Sequence, residues 1–170
     1  MLGPGDARSE TRTAPAPPDL GAGMISVPEG SDLQLDVQLE GVSEGVLVTA
    51  AVTAPLAGEC ARCLEPFTSA VTVRFRELFA RQRDRDRDSE GSDDEDGYLL
   101  SGDLLELEPA LRDALVLELP LSPLCAPDCP GLCAECGIRL ADAEPGHHHP
   151  RRGAMWAALQ GLPAAGSDPR

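Results

Sequence analysis

Val46-Leu47-Val48-Thr49-Ala50-Ala51-Val52-Thr53, then Cys60-Ala61-Arg62-Cys63, then Val71-Thr72-Val73-Arg74-Phe75-Arg76: this stretch reads as strand, knuckle, strand. The first run is almost continuously apolar, as in a strand buried on both faces for part of its length. The last alternates apolar and polar residues, the period of a strand with one wet face, and the pattern carries on to Leu78 and Phe79. Between them, Cys-x-x-Cys is the spacing at which one turn of backbone aims two thiolates at one metal ion.

Working outward, Leu33-Gln34-Leu35-Asp36-Val37-Gln38-Leu39 alternates cleanly and Gly41 to Gly45 supplies a turn, which predicts an antiparallel hairpin with the Val46 strand. Tyr98-Leu99-Leu100 is a short strand candidate. Leu107 to Leu119 is the best helix, with Pro109 in the first turn and Pro120 closing it. Leu107, Leu111, Ala114, Leu115 and Glu118 share a face, Leu119 lies nearby, and Arg112 and Asp113 point elsewhere. The predicted fold class is α+β: a small antiparallel β-sheet with one principal helix and a zinc-ribbon-like cysteine knuckle site. Residues 1–23, rich in Pro, Ala and Gly, read as a mobile arm or an extended edge. Residues 24–140 read as a single domain interrupted by a disordered acidic loop at 81–97. Residues 141–170 read as a tail with a short helix near 155–161, around the only Trp, Trp156.

Four more cysteines crowd into one stretch: Cys125, Cys129, Cys133 and Cys136. The second Cys-x-x-Cys makes a zinc ribbon of Cys60, Cys63, Cys133 and Cys136, with Gly137 free to turn backbone amides toward the last sulfur. Of two alternatives, one closes a local site from Cys125, Cys129, Cys133 and Cys136, and the other mixes Cys125 or Cys129 with the first knuckle. Four thiolates around Zn2+ leave no open position for water or substrate, so the expected role is structural. A thioredoxin-like couple wants Cys-x-x-Cys opening a helix, and Pro66 and the prolines around Cys125 oppose that. His147, His148 and His149 are consecutive and stand beside Arg151 and Arg152, which reads as a solvated basic patch.

The chain carries 29 acidic residues against 14 arginines and no lysine, for a formal charge of −15. From Asp84 to Asp96 there are eight acidic residues and two arginines, a net −6 that leaves −9 for the remainder. The acidic run lacks the ligand spacing and closing Glu of a calcium loop. Such a chain repels bare nucleic acid at long range and meets a basic protein easily. Arg62 in the knuckle, with Arg74 and Arg76 alternating on one strand face, is the local exception. No apolar run approaches the roughly 20 residues that span a bilayer, and the first residues lack a signal peptide's basic and apolar regions. A cytoplasmic protein with reduced thiols is expected, with neither a membrane nor a small-molecule substrate as partner. Hydrolase, phosphate-loop and zinc-protease motifs are absent, so no enzyme is expected.

Several motifs resemble one family. Glu44-Gly45-Val46-Leu47-Val48-Thr49 and Gly58-Glu59-Cys60-Ala61-Arg62-Cys63-Leu64-Glu65-Pro66-Phe67 are similar to the signature of the YceD family, the large ribosomal RNA subunit accumulation proteins. Gly102-Asp103-Leu104-Leu105-Glu106-Leu107-Glu108-Pro109, Leu111-Arg112-Asp113-Ala114 and Leu119-Pro120-Leu121 continue the resemblance, which closes on Pro123 through Gly137. Relatives carry a strand-forming stretch before the position of Pro4, so the sheet is expected to lack an edge strand. They also end in an Asp-Pro-Arg-Trp run where this chain reads Pro150-Arg151-Arg152-Gly153-Ala154-Met155-Trp156. The resemblance implies a non-enzymatic cytoplasmic factor needed for large-subunit ribosomal RNA to accumulate. Its expected partner is a ribosomal protein or pre-ribosomal particle of the large subunit, which an acidic domain could hold. The alternative is direct binding of ribosomal RNA through Arg62, Arg74 and Arg76.

Overall fold

The computed structural model describes residues 2–81 and 97–149. The chain divides into two compact units, Met1–Cys129 and Pro130–Arg170. The boundary thus falls inside the 24–140 stretch read above as a single domain. The acidic loop lies almost wholly, and the helix near 155–161 entirely, outside the described residues.

The first unit is a sheet in which every strand pair is antiparallel. Its strands are β1 (Ala7–Pro15), β2 (Gly21–Ala22), β3 (Ile25–Ser26), β4 (Asp32–Gly41), β5 (Gly45–Glu59) and β6 (Pro66–Ala80). β5 is the spine. It pairs with β6 along its whole length, from Gly45↔Ala80 to Glu59↔Pro66. Its other edge takes β4 from Gly41↔Val46 to Gln34↔Thr53, and then β3 at Gly58 and Ala57. At Gly45 the two backbones of the long hairpin close so tightly that a Cβ would lie 2.0 Å from the Phe79 carbonyl oxygen.

β1 lies within residues 1–23, the stretch read above as a mobile arm or an extended edge. It lies antiparallel on β4, from Ala7↔Glu40 to Pro15↔Asp32, and forms an edge of the sheet. Arg8, Glu10 and Arg12 alternate along one side of β1 and form ion pairs with one another. On the other side Thr11 Oγ1 donates to Asp36 Oδ1 at 2.8 Å. Neither side is apolar, so the ladder, rather than burial, holds the strand.

Alternation along β5 sends Val46, Val48, Ala50, Val52, Ala54 and Leu56 to one face, all buried. The single described helix, α1 (Glu108–Glu118), covers part of that face. Leu111, Leu115 and Leu119 pack with Leu20, Ile25, Leu33, Val52 and Val73. Burial of each such Leu contributes on the order of 1.5–3 kcal/mol. Pro109 sits in the first turn, where its missing N–H costs nothing, and Leu119 ends the helix in an extended conformation before Pro120. Arg112, off the buried stripe, donates to the carbonyls of Pro18 and Asp19 and pairs with Glu108 at 2.8 Å. Tyr98 stacks on Phe79 with ring centroids 5.2 Å apart, and its hydroxyl donates to Asp113 at 2.7 Å. The opposite face of the sheet presents Gln38, Thr49, Ala51, Arg74 and Arg76 to a shallow open groove.

Candidate metal centre

β5 and β6 run into each other through residues 60–65, and this turn is the knuckle. Cys60 N–H donates to the Glu65 carbonyl (2.9 Å), and Leu64 N–H to the Cys60 carbonyl (2.8 Å). To close that second bond Leu64 takes φ +62°, the left-handed region. The hairpin end is then met by the segment that follows α1. After Pro120 and Pro123 no regular structure can continue, and the chain returns so that Ala61 N–H donates to the Pro123 carbonyl at 2.8 Å. Arg62 Nη1 donates to the Cys129 carbonyl at 3.0 Å. These bonds bring Cys125 and Cys129 over the knuckle.

The Sγ atoms of Cys60, Cys63, Cys125 and Cys129 lie within 4.8 Å of one another. Cys60 Sγ is 3.7 Å from Cys129 Sγ, and Cys63 Sγ is 3.7 Å from Cys125 Sγ. Thiolates placed tetrahedrally at about 2.3 Å from a zinc ion stand about 3.8 Å apart. A disulfide requires sulfurs about 2.05 Å apart, and all six cysteines are free. The donor set and spacing therefore fit a four-thiolate ion. Cys60, Cys63 and Cys129 are buried, and Cys125 is exposed.

The electrostatics point the same way. Backbone hydrogen bonding, that at Cys125 foremost, holds the Cys60 thiol down to about 6. Hydrogen bonds with Cys129 and then Cys60 push Cys125 up to about 12. At Cys63 the Glu65 amide pulls the pKa down, but burial and the Cys60 and Cys129 thiols outweigh it and the group is raised. One thiolate, Cys60, forms readily, while Cys63 and Cys125 resist. A divalent cation would remove that resistance by supplying the missing positive charge.

The first knuckle is thus gathered with the two cysteines given above as alternative ligands, Cys125 and Cys129, and not with Cys133 and Cys136. The physical reason is the Pro123 return, which brings residues 125 and 129 onto the hairpin end. Cys133 and Cys136 belong to the second unit, where they form a separate group with His147 and His149. The histidines are thus more than a solvated patch. An extended backbone sends alternate side chains to one side. That period of two, His147-x-His149, was the available signal. Of the arginines, Arg62 is tied to the cysteine cluster, while Arg74 and Arg76 stand on the open sheet face, with Arg76 4.0 Å from the Glu40 carboxylate.

Fold and site together define a mostly antiparallel β protein with one described helix and cysteine clusters able to hold metal. The family described as large ribosomal RNA subunit accumulation protein YceD matches residues 48–163. The chain belongs to the YceD family. It is 47% identical over 147 residues to uncharacterized proteins of Mycobacterium tuberculosis and Mycobacterium bovis, covering 86% of this chain and 70% of each relative. An uncharacterized protein of Mycobacterium leprae is 39% identical over 156 residues, 92% of this chain and 70% of the relative. No solved structure gives a significant match. Among the described residues, no helix is long and apolar enough to cross a membrane.

Proposed function

We propose that this protein is a non-enzymatic cytoplasmic factor in large ribosomal subunit biogenesis, supporting accumulation of large-subunit ribosomal RNA by holding a basic ribosomal protein or a pre-ribosomal particle. Membership of the YceD family, whose description names that accumulation, carries the reading. The charge supports the choice of partner. With −15 overall and no lysine, the chain attracts polycations and repels phosphate backbones. A zinc ion at Cys60, Cys63, Cys125 and Cys129 would be structural, because four protein ligands leave no position for substrate. It would pin the β5–β6 hairpin end to the segment after α1.

The test has two parts. Cells depleted of the protein should show a fall in large-subunit relative to small-subunit ribosomal RNA. The purified chain should retain one or more basic large-subunit proteins in a salt-sensitive manner. An unchanged RNA ratio on depletion would sink the reading.

One observation favours direct RNA binding as a second reading: Arg74 and Arg76 stand side by side with Thr49 and Gln38 on the sheet face that α1 does not cover. A gel shift with large-subunit RNA fragments that is abolished by Arg74→Ala/Arg76→Ala would support it, while no shift with the unaltered chain removes it.

A further inference from the structure

Residues 130–149 are folded, and among the described residues they have no core of their own. Among the described residues, the apolar core ends at Cys129, and no side chain beyond it belongs to either buried cluster. Ile138 and Leu140 are 40% and 37% exposed. Yet the backbone closes on itself. Leu132 bridges Arg139, and Leu140 N–H donates to the Gly131 carbonyl at 2.9 Å. Cys133 N–H donates to the Ile138 carbonyl and Gly137 N–H to the Cys133 carbonyl, both at 2.8 Å. A hairpin this short is marginal in water by itself.

One set of side chains converges on the closed turn. Cys136 Sγ lies 3.5 Å from His147 Nε2 and 3.2 Å from His149 Nε2, and the two imidazole nitrogens are 3.0 Å apart. With Cys133 Sγ, all four ligand atoms lie within 4.8 Å of one another. In a tetrahedral zinc site with two sulfurs and two nitrogens, adjacent sulfur–nitrogen and nitrogen–nitrogen pairs are roughly 3.3–3.6 Å apart. The turn itself repeats the first knuckle: Cys-x-x-Cys, an amide of the following residue bonded to the first cysteine's carbonyl, and a left-handed backbone there, Gly137 at φ +74°. His148 is the internal contrast. It turns back to the Gly146 carbonyl at 2.8 Å and takes no part.

We propose that Cys133, Cys136, His147 and His149 bind a second divalent ion of the zinc class, separate from the ion at Cys60, and that this ion folds residues 130–149. Two thiolates and two neutral imidazoles balance the ion's charge, whereas four thiolates leave a net −2. The second site is also more open: none of its four ligands is fully buried, whereas three of the four at the first site are. It should therefore yield its ion to a chelator before the buried first site does. The inference is independent of the ribosomal reading, and its test reads metal and amides only.

The experiment loads the full chain, without a histidine tag, with Zn2+ and then Co2+, and compares it with His147→Ala/His149→Ala and with His148→Ala. Unaltered chain and His148→Ala should each hold two ions, with cobalt spectra showing one four-sulfur and one mixed sulfur–nitrogen site. The double variant should hold one ion with only the four-sulfur spectrum. Hydrogen exchange should then find the amides of Cys133, Gly137 and Leu140 unprotected while those of β5 stay protected. The β5 amides also report whether the variant sheet is folded. One ion in the unaltered chain, or two retained in the double variant, would overturn the proposal.

Discussion

Leu64 carries the turn of the first knuckle in a conformation that suits glycine. Its φ of +62° brings Cβ close to the following carbonyl, which costs roughly 1–2 kcal/mol. The corresponding seat after Cys136 is Gly137. Leu64 is 57% exposed, so its side chain returns little by burial. Leu64→Gly removes the strain and adds unfolded-chain entropy worth roughly 0.5–1 kcal/mol. The expected net effect is a gain of about 0.5 kcal/mol in urea denaturation, with metal content unchanged. A loss of stability would show that the Leu64 side chain holds something that the exposed position conceals. At the same scale, Cys60→Ser and Cys129→Ser should each remove the ion of the first site, read by mass spectrometry, and leave the sheet's strand pairing in place.

At the scale of elements, α1 is fastened to the sheet by three leucines, and Leu115 is the most buried of them at 1% exposure. Leu115→Ala should cost about 2–5 kcal/mol, the range for a leucine removed from a packed core. Chemical denaturation measures it, and a cost under about 1 kcal/mol would mean that the helix is not seated as described. The helix, β4 and the β5–β6 hairpin were legible in the sequence because each buries one face, and burial writes a period of 3.6 or 2 into the residues. β1 was not legible. Its sides are Arg8, Glu10, Arg12 and Ser9, Thr11, Thr13, polar on both, and backbone pairing to β4 leaves no such trace. The cysteines behaved similarly. Cys-x-x-Cys announced two knuckles, but spacing is a local quantity. Which cysteines complete the first one was decided by the Ala61–Pro123 backbone bond, made between residues far apart in the chain.

At the scale of the whole molecule, the core is built from Val, Leu and Ala, with Phe79 its largest fully buried side chain. Metal should accordingly matter to stability. An ion that links Cys60 to Cys129 spans 69 residues. A cross-link closing a loop of that size stabilises by about 4 kcal/mol in the chain-entropy view, against about 3 kcal/mol for a loop near a dozen residues. Chelation of the full chain should therefore lower the thermal midpoint of the first unit, followed by the far-ultraviolet circular dichroism of its sheet. Cys125→Ser should reproduce the shift without chelator. An unchanged midpoint in both would mean that the four thiolates do not tie the sheet together.

The separations along the chain also set a clock. Cys136 is 11 residues from His147 and 13 from His149, and a loop of that length closes in roughly 10–100 ns. The second cluster can meet its ligands as soon as its own stretch of chain exists. Cys63 and Cys125 are 62 residues apart, and their meeting waits for the β5–β6 hairpin and for α1 to dock. A nascent chain would thus deliver the two clusters to the cellular zinc supply by different routes. The first would come last, as the seal on a sheet already assembled, and the second as an early event that needs no sheet at all.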